Sequence, residues 1–130
     1  MEKLVLASRN KGKLEEFRQL LADLPLEIVG VDEFPGAPEV EETGNTFKEN
    51  AVLKATIVAE AIGKMVLADD SGLVVDALNG EPGIYSARYG KPEWDGRGRY
   101  QYLLEKLAKV PEVQRTARFV AVLVRLLWLP

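Results

Sequence analysis

Three short stretches carry the residues that could do chemistry. The first is Ser8-Arg9-Asn10-Lys11-Gly12-Lys13, which separates the apolar run Leu4 to Ala7 from an amphipathic segment. A polar turn between a strand and a helix leaves backbone N–H groups free at the helix N-terminus. Those groups attract phosphate, and Ser, Asn and Lys add further donors. The stretch is not a Walker A loop, because Leu14 follows Gly12-Lys13 and the earlier glycine is missing. It fits a helix cap with surface lysines equally well, and spacing alone leaves both readings open. The second stretch runs from Glu41-Glu42-Thr43-Gly44 through Asn50 to Lys54. Carboxylates sit just ahead of a helix on which Asn50 and Lys54, four apart, share a face. A metal at the carboxylates and a phosphate at Lys54 fit that geometry, as does a capped surface helix behind an acidic loop. The third stretch is Ala68-Asp69-Asp70-Ser71-Gly72. Two acids closing a buried strand are costly unless they serve a cation, a network or a turn. In open α/β sheets ligands gather at the carboxyl ends of strands, and a magnesium ion needs few protein carboxylates there.

Composition narrows the chemistry. The 130 residues include no cysteine and no histidine. This removes disulfides, thiolate zinc sites, cysteine nucleophiles and the commonest general base. Acid–base work falls to Asp, Glu, Lys or Tyr, and any metal must accept oxygen ligands, which favours magnesium, manganese or calcium. The net charge of −3 argues against a nucleic-acid polymer as partner. Charge is uneven: 11 acidic and 3 basic residues lie between Asp32 and Glu81, whereas 7 basic and 2 acidic lie between Arg97 and Arg125. An acidic middle could hold a cation; the basic part reads as a solvated face or an anion-facing one. Neither a secretory signal nor an apolar run long enough for a bilayer is read, so a cytoplasmic protein without a membrane partner is expected.

The elements that must position these residues follow from periodicity. Leu4 to Ala7 reads as a buried strand. Lys13 to Ala22 reads as a helix, with Leu14, Phe17, Leu20, Leu21 and Leu24 on one face. Leu26 to Val31 is a second strand, and Asp32 to Gly44 an extended loop. Thr46 and Glu49 form a capping box. The helix they open has Ala51, Ala55, Val58, Ala59 and Ile62 as its apolar stripe and Gly63 as terminator. Met65 to Ala68 is a strand ending on Asp69-Asp70, with extended structure resuming at Leu73 to Val75. Turns are expected at Asn79-Gly80 and Pro82-Gly83, a helix over Arg97 to Lys109, and a last strand over Thr116 to Val124. The alternation predicts an α/β layered fold with a mixed sheet, formed as one domain over residues 1–130.

The three stretches also resemble the inosine triphosphate pyrophosphatases. The matching blocks are Ala7 to Lys13; Glu42 to Ala51 with Lys54-Ala55; and Ala68 to Leu73 running on to Asp76-Ala77-Leu78. Pro82-Gly83-Ile84-Tyr85-Ser86-Ala87-Arg88-Tyr89 extends the last block. The resemblance implies hydrolysis of non-standard purine nucleoside triphosphates (inosine, deoxyinosine, xanthosine) to monophosphate plus diphosphate. It implies that Ser8, Arg9, Asn10, Lys11, Gly12 and Lys13 bind the triphosphate, with Asn10 and Lys13 as main donors. Lys54 and Ser71 would touch substrate, joined by Asn50 on the same helix face as Lys54. Glu42 and Asp70 would hold Mg2+, and Asp70 would orient or deprotonate the attacking water. An elongated α/β fold with an active-site cleft between two lobes, and a homodimer, are implied as well.

The family's later Phe-Gly-Tyr-Asp and Ser-His-Arg blocks, which contribute to purine recognition, do not occur in this sequence. The expectation is a domain lacking the family's C-terminal third. The alternative expectation is a catalytically impaired nucleotide- or phosphate-binding module, or an interaction protein. The apolar run Leu126-Leu127-Trp128-Leu129 is expected to pack into a subunit contact or to fold back over the cleft.

Overall fold

The computed structural model describes residues 1–127. Its main elements are β1 (Glu2–Leu6), α1 (Lys11–Leu20), β2 (Leu26–Gly30), α2 (Phe47–Ile62), β3 (Val66–Val75), α3 (Gly96–Lys106) and β4 (Ala117–Leu126), with short 3-10 turns between them. The fold is mixed α/β, with one four-stranded mixed sheet in the order β2-β1-β3-β4. β1 runs parallel to both neighbours, with Val5 opposite Val29 and Val66, and Leu6 opposite Gly30 and Leu67. Parallel strands need helical crossovers, and α1 and α2 supply them. Among the described residues no helix is long and apolar enough to cross a membrane.

The described residues divide into two compact units, one of residues 1–70 with 122–127, the other of residues 71–121. In the first, strand alternation sorts the core into two layers. Val5, Val29, Val66 and Ala68 pack with Ala55, Val58 and Ala59 of α2. Leu4, Leu6, Ile28 and Leu67 pack with Leu14, Phe17 and Leu21. Successive strand residues point to opposite faces, so a strand apolar at every position must be covered on both. The α1 stripe is narrower than expected. Leu20 is 70% exposed and Leu24 48% exposed. Leu20 lies at the edge of the arc drawn by Leu14, Phe17 and Leu21, and Leu24 falls after the helix has ended.

Caps fix the helix ends. Asn10 Oδ1 accepts from the Lys13 N–H at 3.1 Å to open α1. Thr46 Oγ1 accepts from the Glu49 N–H at 3.0 Å, while Glu49 Oε2 accepts from the Asn45 N–H at 2.6 Å. The box therefore forms, with the reciprocal bond displaced one residue N-terminal of the cap. Gly63, at φ 64°, ends α2 in the left-handed region that glycine enters without penalty.

β3 corrects one expectation. Met65 to Ala68 and Leu73 to Val75 are not separate pieces; a single strand runs through Asp69-Asp70-Ser71-Gly72. β4 likewise extends two residues past Val124. Leu126 packs partly buried against the first unit's core, and Leu127 is 54% exposed. Trp128, Leu129 and Pro130 lie outside the described residues.

In the second unit, the expected basic surface is partly engaged by acids nearby. Arg118 approaches Asp76 at 3.4 Å, and the Thr116 hydroxyl donates to Asp76 at 2.7 Å. Lys106 Nζ lies 3.2 Å from Glu81 Oε1, which also accepts from the Tyr89 hydroxyl at 2.9 Å. The same ammonium sits over the rings of Tyr89 and Tyr102 at 5.2 and 5.1 Å. The Tyr89 bond and then Lys106 hold the Glu81 carboxyl below its ordinary range. Hydrogen bonds to Tyr89 and Glu81 push the Lys106 ammonium up.

Candidate functional site

The first unit gathers five of the residues singled out from the sequence around one cavity of about 310 Å³. Ser8, Arg9, Lys13, Glu42 and Lys54 line it. The parallel pairing of β1 with β3 creates this convergence. The Ala7 N–H donates to the Leu67 carbonyl at 2.9 Å, which brings the turn after β1 level with Asp69 and Asp70 on β3. α2 then lays Lys54 alongside the same strand.

Lys54 is the centre of the electrostatics. Its side chain is 14% exposed, and Nζ lies 3.4 Å from Glu42 Oε1 and 3.9 Å from Asp70 Oδ1. It also donates to the Asp69 carbonyl oxygen at 2.6 Å. One ammonium therefore holds together the loop before α2 and the middle of β3. Asp69 is engaged by a second cation, with Lys13 Nζ 2.6 Å from its Oδ2. The pairing balances charge that burial would otherwise penalise, since Asp69 and Asp70 are both buried.

Asp70 is the least satisfied of these groups. Its Oδ2 is buried without a hydrogen-bond partner among the described residues, and so is Asn50 Nδ2. Burial raises the Asp70 pKa and the negative charge of Glu42 adds to the effect, while Lys54 and the neighbouring Asn50 amide pull the other way. A buried carboxylate oxygen left unmatched beside a second carboxylate asks for a positive partner. Among the described residues, no group of three or more acidic side chains forms a metal cluster. The pair Glu42 and Asp70 nonetheless offers hard oxygen donors suited to an ion that takes its remaining ligands from phosphate and water.

Not every expected phosphate ligand turns toward the cavity in the same way. Asn10 spends its carbonyl oxygen on the helix cap, and Ser8 Oγ accepts from the Asn10 N–H at 3.1 Å. Arg9 is anchored sideways. Its guanidinium lies 2.8 Å from Asp32, donates to the Ala37 carbonyl at 3.1 Å and reaches Glu39 at 3.9 Å. Arg9 thus ties the turn to the loop that forms the cavity rim. Lys11 is exposed at the start of α1, and Gly12 lies in the same first turn. Asn50 is fully buried, and its Oδ1 accepts from the Gly44 N–H at 2.8 Å. Its contact is with the loop that carries Glu42. Ser71 opens the second unit as an exposed residue of β3.

Two contributors were hidden from sequence reasoning. Asp69 looked like half of an acidic pair, yet it is the partner of Lys13; only the β1–β3 register brings the two together. Glu39, with Pro38 and Val40, lines the cavity from a loop that carried no sign of a site beyond its charge.

The mixed α/β fold thus brings Lys13, Lys54 and Glu42 to one cavity, with the buried Asp69 and Asp70 paired to the two lysines. The chain belongs to the Ham1 family, whose model matches residues 4–128. It is 53% identical over 126 residues to a dITP/XTP pyrophosphatase of Xanthomonas campestris pv. campestris (strain 8004), covering 97% of this chain and 63% of that one. It is 50% identical to the dITP/XTP pyrophosphatase of Geobacter sulfurreducens, over 92% of this chain and 60% of the other. Solved structures agree. A HAM1 protein from Coxiella burnetii superposes with a TM-score of 0.87 at 42% identity, covering 96% of this chain and 63% of that one. The Ham1 protein of Staphylococcus aureus gives 0.82 at 44% identity, over 95% and 62% of the two chains. The chain thus spans a little over three fifths of the length of the relatives it matches.

Proposed function

We propose that this chain carries the triphosphate- and metal-binding part of a hydrolase that converts non-standard purine nucleoside triphosphates, those of inosine, deoxyinosine and xanthosine, to monophosphate plus diphosphate. The observation that carries the reading is Lys54 set between Glu42 and Asp70, with Asp70 Oδ2 buried and unmatched beside them. The names of the relatives, dITP/XTP pyrophosphatases, support the substrate class.

In this reading Lys13 and Lys54 bind the phosphate chain as charge-assisted donors, with the N-terminus of α1 behind them. Arg9 and Asn10 keep the turn in shape, and Ser8, Lys11, Gly12 and Ser71 complete the contact to substrate. Asn50 holds the loop of Glu42 in place. Asp70, whose burial raises its proton affinity, accepts the proton of the water that attacks phosphorus. The P–O bond between the first and second phosphoryl groups breaks, the water oxygen stays on one product and diphosphate leaves. Glu42 and Asp70 would hold Mg2+, which neutralises phosphate charge when bound. Their oxygen donors and the unmatched Asp70 oxygen suit that ion. A cytoplasmic homodimer with no nucleic-acid polymer or membrane partner completes the reading, and the net charge of −3 supports the lack of a polyanionic partner.

The test is diphosphate release from inosine triphosphate with and without Mg2+, measured beside equilibrium binding of the same nucleotide. Magnesium-dependent release is the expected result. Binding without release would leave a nucleotide-binding module and overturn the hydrolase.

A further inference from the structure

Just beyond Asp70, β3 has an unusual neighbour. The strand is bridged antiparallel at Val74 to Pro82, and the Val75 N–H donates to the Glu81 carbonyl at 3.2 Å. Two residues earlier the ladder would need another backbone carbonyl, but the partner segment has already turned into the 3-10 stretch Gly83–Arg88. The Ser86 side chain takes that place. Its hydroxyl oxygen accepts from the Leu73 N–H at 3.0 Å while its proton goes to the Gly83 carbonyl at 2.7 Å. A hydroxyl can donate and accept at once, so one side chain satisfies a strand amide and pins its own turn. The approach is close enough that a Cβ on Gly72 would drive into the Gly83 oxygen and Ser86 Oγ. Ser71, Gly72, Leu73, Gly83 and Ser86 all belong to the second unit.

We infer that Ser86 is a positioning residue: through the Leu73 amide and the contact with Gly72 it fixes the backbone that carries Ser71, the residue read above as a substrate contact. The inference rests on the proposed hydrolase function. Nothing about Ser86 itself suggests chemistry. It is half-buried, its hydroxyl is spent on both sides, and its influence runs along two peptide units to Ser71.

Four variants test this: Ser86→Ala, Ser86→Cys, Ser86→Thr and Ser71→Ala, with Ser71→Ala/Ser86→Ala as the double. Amide hydrogen exchange reads the contact without turnover. Leu73 should lose protection in Ser86→Ala and in Ser86→Cys, whose thiol is a weak acceptor, and keep it in Ser86→Thr. Steady-state hydrolysis of inosine triphosphate with Mg2+ reads the consequence. Ser86→Ala and Ser86→Cys should lose about tenfold in kcat/KM, the worth of one hydrogen bond of roughly ordinary strength, and Ser86→Thr should recover most of it. The double variant should be no worse than Ser71→Ala alone, because Ser86 acts only through Ser71. A residue that merely supports the fold would instead give additive losses and a lower melting temperature. Should Ser86→Ala fail to fold, Ser86→Cys, which keeps the side-chain shape with a slightly larger atom, carries the comparison. Parent-like turnover in Ser86→Ala or Ser86→Cys, or additive losses in the double, overturns the positioning role. An inert parent with Leu73 protection behaving as expected overturns the hydrolase reading instead, and the role of Ser86 in catalysis with it.

Discussion

Replacing Lys54 by alanine strikes the centre of the charge arrangement. Its ammonium lies 3.4 Å from Glu42 Oε1 and 3.9 Å from Asp70 Oδ1, with the Asp69 carbonyl at 2.6 Å. At an effective dielectric of about 20, each ion pair is worth roughly 4–5 kcal/mol before desolvation is subtracted. Desolvation of the lysine offsets much of this. The side chains of Lys54 and Asp70 are 14% and 7% exposed, whereas that of Glu42 is 25% exposed and partly screened. Removing one partner of a buried pair costs about 3–5 kcal/mol, and the exposure of Glu42 puts this case near 3. Urea unfolding at pH 7 without divalent metal is the assay. The cost should also depend on pH. Asp70 in the parent already has its pKa raised by burial and by Glu42, and losing the cation raises it further. A group with a raised folded pKa favours the folded state below its unfolded value and penalises it as pH rises. The deficit of Lys54→Ala should therefore be smallest where Asp70 is protonated and widen as pH rises through its raised folded pKa. A loss below about 1 kcal/mol, the range of an exposed pair, or a deficit that does not change with pH, would refute the view of Lys54 as the counter-ion of the buried Asp70 and the half-buried Glu42.

Asp70→Asn should abolish magnesium-dependent hydrolysis of inosine triphosphate and leave the circular dichroism spectrum unchanged, since the amide keeps the shape and removes the charge; hydrolysis at the parent rate would count against Asp70 as the base. Lys13→Ala should weaken triphosphate binding by titration calorimetry about tenfold or more, while Lys64→Ala, exposed beyond the end of α2, should do little. Equal losses would point to general electrostatics. Thr46→Ala should lower stability by about 1 kcal/mol in urea unfolding through loss of the α2 cap, and Thr46→Ser should restore it. The Glu81 cluster predicts acid sensitivity. Because the folded carboxyl is held below its ordinary value of 4.5, its contribution is present above that pH and lost as pH falls through the folded value. The melting temperature of Glu81→Gln should therefore fall less steeply than that of the parent below pH 4.5.

The sequence determined the order and kind of the elements, because that information is local. Apolar runs at Leu4 and Met65, the capping box at Thr46 and the left-handed Gly63 each act within a few residues, and each appears in the fold near where periodicity placed it. The candidate residues of the site were legible too, as rare clusters of acid, amide and lysine in a chain without histidine or cysteine. Their division of labour was not. Arg9 and Lys11 are as basic as Lys13, yet it is Lys13 whose ammonium lies 2.6 Å from Asp69. Asn50 shares a helix face with Lys54, yet it is fully buried against Gly44. Asp69 and Asp70 are adjacent, but alternation along β3 turns one toward Lys13 and the other toward Lys54. These outcomes depend on the register of β1 against β3 and on the face α2 presents to the sheet. Both are set by packing among residues far apart in the chain, and only the folded protein decides them.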